Sequence, residues 1–124
     1  MTLQKIESDF SVCQISTTQG LDFSRDFVFL SKTDDELSLV CETAFVPSDF
    51  IVNHEAGWQA LKIVGILDFT LVGVIAKISD ILARDKIGLF VISTYNTDYI
   101  LVKKTNMNRT VQLLEKEGYE VISR

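Results

Sequence analysis

The sequence predicts an α+β protein in which two helices cover one face of an antiparallel sheet. Two stretches, Thr70 to about Asp85 and the region after Lys104, repeat apolar residues at spacings of three and four, which is the period of an amphipathic helix. Short apolar runs of the kind found in strands precede and follow each stretch. With 124 residues, the chain is long enough for one compact domain or two very small halves that share a core.

The first of these strands is predicted at Trp58–Val64, where Leu61 and Ile63 alternate with Lys62 and give one strongly apolar face. A short loop follows from Gly65 to Asp68. The helix then presents one apolar stripe, and either Asp68 or Thr70 can cap it. The stripe residues are Leu71, Val74, Ile75, Ile78 and Leu82.

The next two strands are predicted to form a hairpin. Gly88–Ser93 is a continuous apolar run, as expected of a central strand, and Asp98–Lys103 is its partner. Only a short polar connection around Tyr95 and Asn96 separates the two, which is typical of a tight turn.

A second helix and a last strand complete the predicted order. Asn106 stands where an N-cap would, followed by the apolar positions Met107, Val111 and Leu114, and Gly118 ends the helix. Tyr119–Ile122 then forms a short strand. The resulting order, βαββαβ, is the split βαβ or ferredoxin-like arrangement.

The first half of the chain has fewer helical patterns than the second half. It has the character of a reduced copy of the same βαββαβ arrangement. In such a copy the first helix has shrunk to the loop Thr17–Asp22, and Pro47 starts one helical turn at Val46–Phe50. We therefore expect a partial half at residues 1–57 and a complete unit at residues 58–124. The strand candidates of the first half are Phe10–Ile15, Asp26–Ser31, Glu36–Cys41 and Phe50–Asn53.

Charge and hydropathy exclude several classes of partner. Seventeen acidic residues against twelve Lys and Arg give a net charge of −5, which offers no attraction to nucleic acid or to an anionic membrane. No apolar stretch reaches the ~20 residues of a spanning helix. The first ten residues hold Lys5, Glu7 and Asp9 where a signal peptide would be apolar, so we expect a cytoplasmic protein.

The residues that usually carry catalysis are scarce. The chain has two cysteines, Cys13 and Cys41, and one histidine, His54, too few for the usual zinc sites. Both thiols are expected to be buried; the alternative is a Cys/His nucleophile pair whose members meet in the folded chain. His54 is expected to be an exposed loop residue; the alternative is a general base. No glycine-rich phosphate loop occurs, so we predict no catalytic residue, no cofactor and no metal.

Four segments resemble a known family. They are Asp35–Cys41, Gly57-Trp58 at the start of a strand, Leu67–Gly73 leading into a helix, and Ser93–Val102, the most specific of the four. Together, over roughly Asp35 to Ile122, they are similar to the small tandem ACT-domain proteins that include cytosolic arginine sensors and many bacterial proteins. This resemblance implies the βαββαβ fold and the binding of amino acids or other small effectors in a regulatory role without catalysis.

The resemblance also implies where the effector lies. In such proteins it sits where the loop after the first ACT strand meets a strand of a neighbouring ACT unit. Many of these loops hold a glycine close to the ligand, whereas here Asp68 stands near that position and Gly65 just before it. The implied walls are the loop residues Leu67, Asp68, Phe69, Thr70 and Leu71 and the hairpin residues Ser93, Thr94, Tyr95, Asn96, Thr97 and Asp98.

Physical chemistry suggests how an amino acid would bind there. Free N–H groups at a helix start favour a carboxylate, which we expect at the amides of Phe69–Leu71. Asp98 would accept the ammonium group. The competing interpretations are that Asp68 is only a helix cap, that Asp98 only makes a local hydrogen bond, and that Trp58 and Phe69 are core aromatics rather than a ligand wall.

Three functions follow in order of preference. The first is an amino-acid-responsive binding module that acts through a homodimer or a protein partner. The second is a structural or protein-interaction protein that has lost its ligand site. The third, a small acid/base enzyme using Asp68, Asp98 and His54, ranks last because no nucleophile–base pair, metal set or cofactor loop is visible.

Overall fold

A computed structural model of the chain describes residues 1–68 and 70–123. Strands and α-helices follow one another along these residues, and a single 3₁₀ turn spans Thr43–Phe45. In chain order the elements are strands β1 (Thr2–Ile15), β2 (Phe29–Lys32), β3 (Leu37–Glu42) and β4 (Ile51–Ile63), helix α1 (Val74–Arg84), strands β5 (Phe90–Ser93) and β6 (Asp98–Lys103), helix α2 (Lys104–Lys116) and strand β7 (Glu120–Ser123).

The chain divides into two compact units. One consists of Met1–Glu7 together with Gln59–Arg124, and the other consists of Ser8–Trp58. Strands β1 and β4 each contribute residues to both. We refer to the first as the C-terminal unit and to the second as the N-terminal unit.

The C-terminal unit has the predicted α+β, ferredoxin-like plan with one added strand. Its strands lie in the order β7, β1, β4, β6, β5. The start of β1 pairs in parallel with β7, from Thr2 opposite Glu120 to Lys5 opposite Ser123, and the amide of Val64 donates to the Thr2 carbonyl at 2.9 Å. The predicted hairpin is present, since β5 pairs with β6 in antiparallel register.

The added strand extends the unit predicted at residues 58–124 by a segment from the start of the chain. Thr2–Glu7 lies between β4 and β7, where a four-stranded ferredoxin-like sheet would pair its first and last strands directly. Leu3 and Ile6 are buried, and Leu3 belongs to the core beneath α1 and α2. Their spacing of three does not alternate as strand residues usually do, so the pattern did not indicate a strand.

Helix α1 begins later than predicted. Its first residue is Val74, after Gly73 at a φ of +81°, and no side chain caps it, so the predicted capping by Asp68 or Thr70 is wrong. Instead, the Asp68 carboxylate accepts hydrogen bonds from the amide and the hydroxyl of Thr70, which holds that segment in a turn. Leu71 therefore lies outside the helix and is exposed, whereas Ile78 and Leu82 of the predicted stripe are buried.

Helix α2 ends as predicted and starts earlier. It begins at Lys104, and no side chain caps its start, so the predicted N-cap at Asn106 is wrong. At its end Gly118 has a φ of +94°, and the amide of Tyr119 donates to the Leu114 carbonyl at 3.0 Å. This is the Schellman pattern that glycine favours.

The N-terminal unit, all of whose residues are described, contains no α-helix. Its strands lie in the order β2, β3, β1, β4, and Cys13, Ile15, Leu39 and Cys41 form its core. The helical turn predicted at Val46–Phe50 is replaced by the 3₁₀ turn Thr43–Phe45. The predicted strands Phe50–Asn53 and Trp58–Val64 are parts of one long strand, β4, in which Gly57 has a φ of +88°.

Among the residues that the structure describes, no helix is both long enough and apolar enough to cross a lipid bilayer.

We predict that Leu3→Ala lowers the free energy of unfolding by about 2–5 kcal/mol, because a fully buried leucine is truncated in a core that cannot collapse completely around the cavity. Urea unfolding measures the change, and Glu7→Ala, at an exposed position of the same segment, is the matched control. A Leu3→Ala protein as stable as the control would contradict the placement of this strand in the core.

Candidate functional site

Two segments that are far apart in the sequence meet in the C-terminal unit. They are the loop of residues 64–73 between β4 and α1, called here the β4–α1 loop, and the turn of residues 94–97 between β5 and β6, called the hairpin turn. The amide of Leu67 donates to the Asn96 carbonyl at 2.7 Å. The hydroxyl of Thr97, which is buried, donates to the Ile63 carbonyl, also at 2.7 Å.

The hairpin turn is also held internally. The amide and the hydroxyl of Thr94 both donate to the Thr97 carbonyl, at 2.8 and 3.0 Å. Tyr95 and Asn96 therefore stand at the tip of a closed turn, with Tyr95 exposed to solvent. The turn offers a fixed wall to the β4–α1 loop.

Between these two segments lies a groove of about 330 Å³, called here the loop–hairpin groove. Nine of the eleven residues predicted for the ligand site line it; Thr70 is not part of its lining, and Phe69 lies outside the described residues. The nine are Leu67, Asp68, Leu71, Ser93, Thr94, Tyr95, Asn96, Thr97 and Asp98.

The groove also has a wall that the sequence did not indicate, formed by Gly73, Val74, Ile75 and Ala76 at the start of α1. The first hydrogen bond of the helix runs from the Lys77 amide to the Gly73 carbonyl at 2.9 Å. The amides of Val74, Ile75 and Ala76 precede it and have no acceptor among the described residues. The positive end of the helix dipole therefore borders the groove.

This wall changes the predicted carboxylate position. The Thr70 amide donates to the Asp68 carboxylate at 2.8 Å, and the Leu71 amide donates to the Asp68 carbonyl at 3.0 Å. Neither amide is free for a ligand, because Thr70 and Leu71 form a local turn and not the first turn of the helix. The hydrogen bond from the Thr70 amide, followed by that from its hydroxyl, also lowers the pKa of Asp68, so this side chain is an anion at neutral pH.

Asp98 lies on the opposite wall, at the first residue of β6. One of its carboxylate oxygens accepts a hydrogen bond from the Ser93 hydroxyl, with which it is paired across the hairpin. The local hydrogen bond predicted as the alternative role of Asp98 is therefore present. The second oxygen has no partner in the described part of the chain, so Asp98 retains an acceptor at the groove.

The cysteines and the histidine belong to the N-terminal unit and lack the features of a nucleophilic site. Both thiols are buried, and burial, followed by the charges of Cys13 and Glu42, raises the pKa of Cys41 to about 11. Such a thiol stays protonated at neutral pH and is a poor nucleophile. His54 contacts the hydroxyl of Ser11 through Nε2 at 2.8 Å, and Ser11 is fully buried, so a substrate could not reach that hydroxyl.

Metal ligands are likewise dispersed. Across residues 1–68 and 70–123, no group of three or more His, Cys, Asp or Glu side chains is placed to hold a metal ion.

We predict that Thr97→Val lowers the free energy of unfolding by about 1–3 kcal/mol, because valine keeps the shape of threonine and leaves the buried Ile63 carbonyl without this donor. Thr110→Val is the matched control, since Thr110 is equally buried and its hydroxyl has no partner among the described groups. Urea unfolding compares the two variants. Equal stability would show that the hydroxyl does not hold the two segments together.

Solved structures resemble the whole chain. A protein from Agrobacterium tumefaciens is 28% identical, with a TM-score of 0.84 over 99% of this chain and 92% of that one. A Vibrio cholerae protein, described as of unknown function and a possible transport protein, is 20% identical, with a TM-score of 0.74 over 90% of this chain and 85% of that one. The ligand-free regulatory subunit of aspartate kinase from Thermus thermophilus is 8% identical, with a TM-score of 0.61 over 92% of this chain and 95% of that one.

Sequence comparison gives the family. No curated protein matches this chain significantly. The sequence model of the ACT domain, however, matches residues 53–116, which is more than half of the chain and includes α1, the hairpin and every residue that lines the groove. The chain therefore belongs to the ACT-domain family.

Proposed function

We propose that this chain is a non-catalytic regulatory module that binds an amino acid in the loop–hairpin groove. One observation carries the proposal: free amides at the start of α1 and the Asp98 carboxylate line the same groove. An amino acid carries a carboxylate and an ammonium group on one carbon atom. The groove offers a partner of the right charge for each.

The carboxylate is assigned to the helix start. The amides of Val74, Ile75 and Ala76 have no acceptor in the described chain, and the helix dipole adds partial positive charge there. The Asp68 carboxylate on the β4–α1 loop is an anion and would repel a ligand carboxylate, which disfavours the loop side of the groove. The helix start is therefore the more favourable position for the negative end of the ligand.

The ammonium group is assigned to Asp98. Its free oxygen can accept a charge-assisted hydrogen bond, while the Ser93 hydroxyl holds the other oxygen in place. Thr94 and Asn96 line the same wall and add polar groups to it. A volume of about 330 Å³ lies near the lower end of the range for small-molecule sites and suits a ligand of this size.

The comparisons support a regulatory role. The Thermus thermophilus protein of the same fold is a regulatory subunit of an enzyme, and it matches nearly the full length of both chains. The features that usually mark a catalytic centre are not assembled around the groove within the described residues. We infer that ligand binding in the groove changes contacts with another protein and does not lead to a chemical reaction.

We expect Asp98→Asn to weaken the binding of the effector amino acid by about one to two orders of magnitude, because the change deletes a charged hydrogen bond while keeping the shape of the side chain. The effector is first found by a thermal-shift screen of the proteinogenic amino acids, and calorimetry then gives the affinity. Asp34→Asn, an exposed carboxylate in the N-terminal unit, is the matched control for the loss of one charge.

Unchanged affinity in a folded Asp98→Asn protein would reject the ammonium assignment. If the wild-type protein binds no proteinogenic amino acid, the proposed ligand class is wrong and the second candidate below replaces it.

The second candidate is a protein-interaction role without a retained ligand site, and exposed apolar side chains of the β4–α1 loop and the hairpin turn favour it. Apolar side chains around the β4–α1 loop and hairpin turn are strongly exposed: Ile66 is 78%, Val72 is 90% and Tyr95 is 81% exposed. Exposed apolar residues grouped in this way mark surfaces that contact other proteins. We propose that a second copy of this chain covers them in a homodimer, which would also close the groove under the first proposal.

Equilibrium sedimentation tests this dimer. We expect the wild-type protein to dimerise in a concentration-dependent manner and Val72→Asp to shift it toward monomer, because the change places a charge on the covered surface. Val52→Asp, at a half-exposed apolar position in β4 of the N-terminal unit, is the control. A wild-type protein that stays monomeric at high concentration would exclude the dimer.

We also propose that the N-terminal unit is a reduced ACT-like half and that the protein is cytoplasmic. The strands of the N-terminal unit lie in the order β2, β3, β1, β4, and the loop from residue 16 to 28 stands where a helix would follow the first strand of a complete unit. The unpaired thiols of Cys13 and Cys41 suit a reducing compartment. We propose a boundary close to residues 57–58, with Met1–Glu7 assigned to the C-terminal unit.

A further inference from the structure

A second cavity, of about 270 Å³, lies in the C-terminal unit between the start of α1 and the end of α2. We call it the α1–α2 cavity. It shares Gly73 and Val74 with the loop–hairpin groove but contains none of the hairpin residues. The rest of its lining comes from Met1, Val72, Lys77, Glu117, Gly118 and Tyr119.

Tyr119 brings an unused hydrogen-bond donor to this cavity. Its side chain is only 9% exposed and its ring belongs to the core, yet its hydroxyl has no hydrogen-bond partner among the described residues. Burial, followed by the negative charge of Glu117, raises the pKa of Tyr119, so the hydroxyl remains a protonated donor at neutral pH.

Lys77 adds a cation with no counter-charge. Its ammonium nitrogen lies 5.8 Å from the centre of the Tyr119 ring, and it forms no ion pair within the described chain. The one carboxylate in the lining, Glu117, is already paired with Arg84 at 3.1 Å. The chain as a whole carries a net charge of −5. At this position, however, the Lys77 ammonium and the Tyr119 hydroxyl provide hydrogen-bond donors that no described acceptor uses.

The start of α1 completes the set. The amide of Val74 has no acceptor among the described groups, and Val74 lines this cavity as well as the groove. Three kinds of donor, an ammonium, a phenol and a backbone amide at a helix start, thus border one cavity. This chemistry suits an anion that presents several oxygen atoms.

We propose that the α1–α2 cavity binds a small oxyanion, a phosphate or carboxylate group, through Lys77, the Tyr119 hydroxyl and the start of α1. The Tyr119 ring stays in the core, and only its hydroxyl serves the ligand. Binding at this cavity does not require an amino acid in the groove, so it is tested separately.

The test is a titration of the full chain with inorganic phosphate, and in parallel with acetate, at constant ionic strength set by chloride. Backbone NMR follows the amides of Lys77, Gly118 and Tyr119, which line this cavity but not the groove. We expect saturable shifts at these amides with at least one of the two probes, and the tighter probe identifies the oxyanion class.

Two variants and two controls make the test specific. Lys77→Gln and Tyr119→Phe should each weaken binding about three- to tenfold, because each removes one donor to an anion while preserving the packing of the chain. Lys62→Gln and Tyr99→Phe are matched controls, since the Lys62 ammonium lies at a similar distance, 6.0 Å, from the ring centre of Tyr99 but neither residue lines the cavity. The controls should bind as the wild type does.

Two results would overturn the proposal. One is the absence of saturable shifts with either probe in the wild-type protein. The other is an equal loss of binding in the control variants, which would mean that the anions only screen the surface charge.

Discussion

The hydrogen bond between the buried Thr97 hydroxyl and the Ile63 carbonyl ties the hairpin to the strand that precedes α1. It joins residues 34 positions apart in the sequence, inside the core, where an unmet carbonyl would be costly. The bond from the Leu67 amide to Asn96 then fixes the β4–α1 loop against the same turn. These two bonds hold together the segments between which the groove lies, and the start of α1 and Asp98 both line that groove.

The sheet beneath the groove depends on the first residues of the chain. Thr2–Glu7 separates β4 from β7, so the C-terminal unit is built from both ends of the sequence. Pairing such distant segments closes a long loop, and this loop contains the whole N-terminal unit. The N-terminal unit is therefore an insertion within the C-terminal one along the chain.

The elements whose apolar residues recur with a clear period were predicted correctly. The prediction failed where local hydrogen bonds, or pairing between segments that are distant in the sequence, determine the structure. The stripe through Ile78 and Leu82 and the end of α2 at Gly118 were found because periodicity and glycine conformation are local properties. The start of α1 was misplaced because the turn at Asp68 and Thr70 imitates a cap. Because of that error, the amides expected to be free at the start of the helix were those of Phe69–Leu71, whereas among the described residues they are those of Val74–Ala76.

The sequence predicted which residues lie close together better than it predicted their hydrogen bonds. Resemblance indicated two segments, and nine of those eleven residues do line one groove. Resemblance could not show that the Thr70 and Leu71 amides are already bonded, or that the second oxygen of Asp98 is free within the described chain. Such details depend on geometry that no spacing rule encodes.

The most direct test of the proposed function is NMR titration of the wild-type chain with each proteinogenic amino acid. We expect one of them to cause saturable shifts at the backbone amides of Val74, Ile75 and Ala76 and at Asp98 together, because the two ends of the ligand contact both walls of the groove. Saturable shifts confined to other parts of the chain, or none with any amino acid, would contradict the assignment of the loop–hairpin groove as an amino-acid site.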